Sequence, residues 1–210
     1  MTKNILFDMG NVLIRVAPEE FVRRCGAADE SDRRRLLREV YQSVEWVELD
    51  RGTITEEQAL SAMLARLPER LHTAAEKLVT HWDRPLLVVE GMETLARELA
   101  GNGYELYLLT NAGPRHREYW FRFPVSDLFP EERICRSSDW KLLKPERDYY
   151  EKALSLFSLD RRECLFIDDT PYNVEAAIRC GIPGLVFHGE ADQLRRDLRA
   201  RGVLVGETGE

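Results

Sequence analysis

The 210-residue sequence lacks any long apolar run, and no stretch approaches the ~20 apolar residues that a membrane-spanning helix needs. It also lacks an excess of basic residues, with 30 Lys and Arg against 37 Asp and Glu and a net charge of −7. That balance disfavours a nucleic-acid binder whose affinity depends on neutralising phosphates. No basic flank leads into an apolar segment at the N-terminus, so no signal peptide is expected. We therefore expect a cytoplasmic protein with no membrane or nucleic-acid partner.

Paired cysteines are also missing. The four cysteines form no C-x-x-C pair and have no spacing typical of a zinc site, which favours buried free thiols in a reducing compartment. They are Cys25, Cys135, Cys164 and Cys180. The length and the 44% hydrophobic content suit one domain with a modest insertion, and no internal repeat is present.

Five short runs predict β-strands, and four of them are almost continuously apolar, as expected for strands covered on both faces. They span residues 5–8, 105–110, 133–136, 165–168 and 185–188. Helical spacing of apolar residues fills the intervals at 92–99, 145–156 and 171–180. This alternation predicts an α/β fold, a Rossmann-like parallel sheet with helices on both faces.

The seventy or so residues after the first strand contain no convincing strand, an unusual distance for one crossover. They predict four helices instead, at 19–25, 32–43, 56–67 and 71–82, with a turn at Asp50-Arg51-Gly52. The third has a start signal, because Thr55 can cap it while Gln58 reaches back. We expect a helical cap domain at 16–84 inserted into a core domain formed by 1–15 and 85–210.

Reactive side chains follow the predicted strands where each strand ends. Asp8 ends the first strand, Thr110-Asn111 the second and Asp168-Asp169 the fourth, while Lys144-Pro145 follows the third at an expected helix entrance. Each residue alone has an ordinary structural role as a cap or turn former. Because ligands bind beyond the carboxyl ends of the strands in an open parallel sheet, their joint placement predicts a site.

The segments "FDMGNVL", "LLTNAG", "KP" and "LFIDDTPYNVEAA" resemble, in order, the four motifs of the haloacid dehalogenase (HAD) superfamily. The resemblance covers the whole core, and the first, second and fourth segments are most similar to the subgroup of α-D-glucose-1-phosphate phosphatases. It implies a hydrolase that acts on small phosphorylated molecules. The segment after the first motif would be the family's helical cap, and a monomer is the default expectation.

The resemblance also implies roles for the site residues. Asp8 would be the nucleophile that forms an aspartyl-phosphate, Thr110 and Asn111 would bind the phosphoryl group, and Lys144 would neutralise charge between Asp8 and the phosphate. Mg²⁺ prefers hard oxygen ligands. Its protein ligands would be Asp8, the main-chain oxygen of Gly10, Asp169, and Asp168 either directly or through water.

Phosphatases of this superfamily usually carry a second aspartate two residues after the nucleophile as general acid and base, but this chain has Gly10 there. A phosphatase that manages without that acid is the hypothesis we favour, since a general acid contributes only ~10²–10⁴-fold. A 2-haloacid dehalogenase needs no proton donor, but paired Asp168 and Asp169 would then lack a cation. A non-catalytic binding module fits Gly10 but not the retained acids.

Gly10 predicts that rates depend steeply on the leaving group. Sugar 1-phosphates, acyl phosphates and aryl phosphates should outpace sugar 6-phosphates, and across aryl phosphates log kcat/KM should fall as leaving-group pKa rises. Gly10→Asp should flatten this slope. A flat slope in the unmodified protein would mean that another side chain donates the proton, with Glu48, Asp50 and His116 the first candidates. Without such a role, His116 is expected at the surface. The sequence leaves open whether four residues near the predicted turn face the site or solvent, namely Trp46, Glu48, Asp50 and Arg51.

Overall fold

The computed structural model describes residues 1–27, 29–84 and 87–206. Within these ranges the strands form one five-stranded parallel sheet in the order β3-β2-β1-β4-β5. They are β1 (Asn4–Phe7), β2 (Glu105–Thr110), β3 (Ile134–Arg136), β4 (Cys164–Asp168) and β5 (Gly184–Val186). The predicted strands and the α/β class are confirmed.

Helices make up most of the remaining described chain. They are α1 (Pro18–Arg24), α2 (Glu30–Leu36), α3 (Val44–Arg51), α4 (Glu56–Leu64), α5 (His72–His81), α6 (Met92–Gly101), α7 (His116–Tyr119), α8 (Ser137–Trp140), α9 (Arg147–Phe157), α10 (Pro171–Arg179) and α11 (Ala191–Ala200). A π-helical turn, Leu37–Tyr41, continues α2. Sequence analysis did not predict α3, α7, α8 or α11.

Helices cover both faces of the sheet. Alternate residues of a strand point to opposite faces, so Ile5 and Phe7 of β1 join a core with α6 and α11, whereas Leu6 joins a second core with α9 and α10. Every residue of β1 and β4 is buried. This two-sided burial explains why the sequences of these strands are continuous apolar runs rather than alternating ones.

The segment 18–81, called the helical region below, has a core of its own built from α1–α5 and the π-helical turn. Val40, Met63 and Ala75 are completely buried in it. The predicted Thr55–Gln58 capping box is present at the start of α4. The domain boundaries at 15/16 and 84/85 stay a prediction, and Pro85 of the second one lies outside the described residues.

Three local predictions are wrong. Asp50-Arg51-Gly52 is not a free turn, because α3 runs to Arg51 and Gly52 ends it in the left-handed conformation, with φ +76°. The predicted helix at 145–156 begins at Arg147, and Glu146 rather than Pro145 precedes it. The predicted helix at 32–43 is two elements, α2 and the π-helical turn.

The register of the sheet brings the predicted site residues to one edge. Phe7 lies level with Ile167 and with Leu108, so the next residue, Asp8, lies beside Asp168 and next to the end of β2. The main-chain N–H of Asp8 donates to Ile167 O at 2.8 Å, which continues the ladder to the end of β1. In the described ranges no helix is long and apolar enough to cross a membrane.

Gly52 controls how closely α3 approaches the core, because a Cβ there would lie 2.5 Å from the main-chain oxygen of Ser138. We expect Gly52→Ala to lower the free energy of unfolding by more than the roughly 1–2 kcal/mol that left-handed backbone costs a residue with a Cβ. Gly103→Ala is the matched control, since Gly103 also has positive φ, +87°, but a Cβ there would meet no atom within 4 Å. Equal losses in urea denaturation would contradict this account.

Candidate active site

Asp8 ends β1 and is followed by a turn that the sequence holds in place. Main-chain N–H groups of Leu13 and Ile14 both donate to Met9 O. Asn11 adopts positive φ, +52°, which asparagine tolerates better than most residues. Its side chain accepts from Val16 N at 3.0 Å and donates to Asp169 at 3.2 Å. The turn therefore ties the end of β1 to the end of β4.

Lys144 lies at the centre of the site. Its Nζ donates to Asp8 Oδ1 at 2.6 Å and to Asp168 Oδ2 at 2.7 Å, and the lysine is 4% exposed. Burial lowers the pKa of the ammonium, but the carboxylates of Asp8 and Asp168 outweigh that effect and raise it. Burial also raises the pKa of Asp8, which Lys144 opposes. Lys144 is therefore the cation that contacts both buried carboxylates, and its charge offsets part of the cost of burying Asp8, whose pKa is still raised to about 7.

Three carboxylates form a cluster at this edge. One oxygen each of Asp8, Asp168 and Asp169 lie within 4.8 Å of one another. Asp168 is completely buried, and its two oxygens accept from Lys144, from Thr170 N at 2.8 Å and from Asn173 Nδ2 at 3.1 Å. Asp169 is half-buried and lines the cavity, so it is the more accessible of the adjacent pair.

Asn111 positions Lys144. Its side-chain amide donates to Lys144 O at 3.0 Å and accepts from Lys144 N at 2.8 Å. This paired contact joins the end of β2 to the loop after β3 and fixes the lysine backbone. Thr110 is buried and lines the same cavity, and its main-chain oxygen accepts from Tyr149 Oη at 3.3 Å.

A cavity of about 290 Å³ opens above these residues, between the sheet edge and the helical region. Asp8, Gly10, Thr110, Asn111, Lys144 and Asp169 all line it. The lining also includes five aromatic side chains, which are Tyr41, Trp46, Trp82, Tyr119 and Tyr172. The predicted residues thus meet in one cavity that is partly lined by aromatic rings.

Gly10 leaves its position without an acid, although space for one exists. A Cβ there would meet only Val16 Cγ2, at 3.4 Å, which is an ordinary van der Waals contact. No positive φ is present at Gly10 either. The glycine is therefore not required by the turn, and a side chain could occupy the position.

The three alternative acids lie in different environments. His116 is fully buried, which corrects the expectation of a surface position, and its Nδ1 accepts from Arg136 Nε at 2.8 Å. Burial and Arg136 lower its pKa well below the usual range, so it stays neutral. Glu48 is half-buried and, unlike Asp50, is not among the described residues that line the cavity.

Trp46 and Arg51, the other two residues of α3 that the sequence singled out, have different surroundings. Trp46 lines the cavity, whereas the Arg51 guanidinium turns to Glu146, with Nη1 at 3.2 Å from Oε2. Sequence reasoning missed Asn173, which holds Asp168 from the first turn of α10, and Tyr41 in the cavity wall. Asn173 lies within the fourth quoted segment, so its proximity to Asp168 was a usable signal. Tyr41 has no such signal.

These features define a class of protein. Residues 2–181 match the haloacid dehalogenase-like hydrolase family, and the chain belongs to that family. The chain is 26% identical to flavin mononucleotide hydrolase 1 of Arabidopsis thaliana, over 96% of this chain and 78% of the relative. It is 30% identical to the sesquiterpene phosphatase astK of Aspergillus oryzae, over 87% of this chain and 88% of the relative.

The fold is also that of solved HAD-family enzymes. One from Bacteroides thetaiotaomicron, crystallised with magnesium and inorganic phosphate, superposes with a TM-score of 0.71 at 21% identity, covering 92% of this chain and 99% of that one. The family assignment made from the four motifs is confirmed. The chain is a HAD-like hydrolase.

Lys144→Met should destabilise the metal-free protein, because two buried carboxylates lose their cation. Breaking a buried ion pair costs about 3–5 kcal/mol. The loss should be smaller at pH 5 than at pH 8, because the unpaired acids take up protons more readily at low pH. Lys141→Met, at an exposed lysine nearby, is the control and should change stability by less than about 0.5 kcal/mol. Equal effects of the two substitutions in chelator-treated urea melts would contradict the central role of Lys144.

Proposed function

We propose that the protein is a magnesium-dependent phosphatase that hydrolyses small phosphomonoesters, sugar phosphates among them, through an aspartyl-phosphate on Asp8. The observation that carries this proposal is the contact of Lys144 with both Asp8 and Asp168, with Asp169 beside them. The helical region would act as a cap that closes over the substrate. Two relatives named as a nucleotide hydrolase and a phosphatase support the same reaction class.

The donor set suits magnesium. Carboxylates of Asp8 and Asp169 and the main-chain oxygen of Gly10 are hard ligands of the kind that Mg²⁺ prefers. Asn173 Oδ1 is buried beside Asp168 with no hydrogen-bond partner among the described residues, so it could accept from a metal-bound water. Asp168, whose oxygens already accept several bonds, fits a water-mediated role better than direct ligation. Bound magnesium would supply positive charge against the phosphoryl oxygens.

The protein's own residues would perform the remaining work. Asp8 presents a carboxylate oxygen to phosphorus, and Lys144 holds that carboxylate in place and offers positive charge to the phosphoryl group. Thr110 lies at the cavity wall as a hydrogen-bond donor for a phosphoryl oxygen. The Asn111 side chain holds Lys144 through both main-chain groups, so we assign it a positioning role in addition to any contact with phosphate.

Two other activities fit less well. A 2-haloacid dehalogenase would need no proton donor, but it would leave three carboxylates sharing one lysine. A non-catalytic binding module would have no use for the buried Asp8–Lys144–Asp168 arrangement, whose groups are costly to bury. A screen of phosphorylated metabolites with and without magnesium separates these possibilities, and it should include sugar 1-phosphates, flavin mononucleotide and prenyl phosphates.

Asp8→Asn should reduce turnover of p-nitrophenyl phosphate to background while the fold survives, because the amide cannot form the acyl phosphate. Asp169→Asn should mainly raise the magnesium concentration needed for half-maximal activity, with partial recovery at high magnesium. Asp192→Asn, at an exposed aspartate on α11, is the matched control and should behave as the unmodified protein.

These variants should be compared in magnesium titrations and after chelation, with circular dichroism as the check on folding. Full activity of Asp8→Asn would rule out the aspartyl-phosphate route. Unchanged activity after chelation would rule out the metal.

A further inference from the structure

The proposed reaction needs a proton donor for the departing oxygen, and Gly10 cannot provide one. Among the described acids of the helical region, Asp50 and Glu56 line the cavity that contains Asp8. The carboxylate of Glu56 is paired with the Arg115 guanidinium. Asp50 has no such cation partner among the described residues, and this difference singles it out.

The core holds Asp50 in place at the end of α3. Ser137 Oγ donates to Asp50 O, and the neighbouring Arg51 is paired with Glu146. Gly113, two residues after Asn111, passes so close that a Cβ there would lie 3.1 Å from Leu49 O. The main-chain N–H of Gly113 also interacts with the Asp50 carboxyl. The acid is therefore fixed to the loop that follows β2, next to the residues proposed to bind phosphate.

Tyr41 lines the same cavity as Asp50 and as Asp8 and Asp169 of the carboxylate cluster. Burial, together with the Asp50 and Asp169 carboxyls, raises the pKa of the Tyr41 phenol to about 12. Tyr119, which also lines the cavity, has its pKa raised by burial and by Asp50. Asp50 itself is half-buried and lines the same cavity.

The surroundings of Asp50 favour its protonated form. Burial raises its pKa to about 8, and the Gly113 N–H opposes this only in part. The titratable groups around it are Tyr41 on the π-helical turn, Tyr119 and His116 on α7, Glu48 and Arg51 on α3, Arg115 and Glu56 at the cavity rim, and Asp8, Lys144 and Asp169 across the cavity. The nearby arginines are paired with Glu146 and Glu56, and His116 is neutral.

We propose that Asp50 is the general acid and base of this site, supplying from α3 the proton transfer that Gly10 cannot. This inference rests on the proposed phosphatase function. In the first step Asp8 attacks phosphorus, the ester P–O bond breaks, and the leaving oxygen takes the Asp50 proton to become an alcohol. In the second step, the oxygen of a water molecule attacks phosphorus while the Asp50 carboxylate takes a proton from that water. The bond between phosphorus and Asp8 then breaks, which releases inorganic phosphate. Asp8 is again a carboxylate and Asp50 again carries its proton.

The proposal reverses the expectation drawn from Gly10 alone. If Asp50 protonates the leaving oxygen, the unmodified protein should show a shallow dependence of log kcat/KM on leaving-group pKa. Asp50→Asn should make that slope steep. Because a general acid contributes ~10²–10⁴-fold, the variant should lose about that factor on alkyl or sugar phosphates and less than ~10-fold on p-nitrophenyl phosphate.

The matched control is Glu48→Gln, an acid-to-amide change on the same helix outside the cavity lining, which should leave the slope unchanged. Asparagine keeps an oxygen that can accept from the Gly113 N–H, so Asp50→Asn should fold. Retained turnover of p-nitrophenyl phosphate checks this within the same experiment. Equal slopes for Asp50→Asn and the unmodified protein would overturn the assignment of Asp50. If the unmodified protein shows no turnover that depends on Asp8, the proposed function itself would be overturned.

A measurement that does not involve turnover tests the protonation state directly. The pKa of Asp50 is higher in the folded protein than in the unfolded chain, so the folded state binds its proton more tightly and loses stability as pH rises between the two values. The melting temperature of the unmodified protein should therefore fall relative to that of Asp50→Asn between pH 5 and pH 9, in metal-free buffer. Parallel curves would show that Asp50 is ionised throughout and would overturn the proposal.

Discussion

The contact of one lysine ammonium with two buried carboxylates is the constraint on which the rest of the site depends. Asp8 and Asp168 lie side by side because the register of β1 and β4 puts them there. Two adjacent acids at 8% and 0% exposure would repel each other and lose their charge without a cation. Lys144 supplies it, and much of the surrounding structure serves to hold that lysine.

Several contacts have this purpose. The Asn111 side chain holds both main-chain groups of Lys144. Thr170 N donates to Oδ1 of Asp168, which does not contact the lysine, and Asn173 Nδ2 donates to both oxygens. Asn11 ties Asp169 to the turn after β1. A charged site of this kind is pre-organised, so its dipoles need little rearrangement when charge develops on a phosphoryl group. Burying these charged groups costs free energy, which the apolar cores on the two faces of the sheet offset.

Sequence reasoning worked where chemistry and periodicity coincide. Four of the five strands were predictable because they are almost continuous apolar runs, and Asp8, Thr110 and Asp168 follow from the residues at their ends. Lys144 was predicted from the Lys-Pro pair that follows the third strand. It failed at α3, where Asp50-Arg51-Gly52 resembles an open turn. Gly52 ends a helix there, and the helix is fixed by contacts with Ser137 and Glu146 that are distant in sequence. His116 was misjudged for the same reason, since its burial depends on the later Arg136. Such long-range partners have no local signature.

Two of the ion pairs that join the helical region to the core in the described chain, Arg51–Glu146 and Arg115–Glu56, lie next to the cavity. All four side chains are between 25% and 37% exposed, so their attraction is screened as ionic strength rises. Asp8, Lys144 and Asp168 are buried and are screened much less. Dissolved salt would therefore weaken these contacts between the helical region and the core more than the contacts that hold Lys144. The two sets of contacts would respond separately to ionic strength.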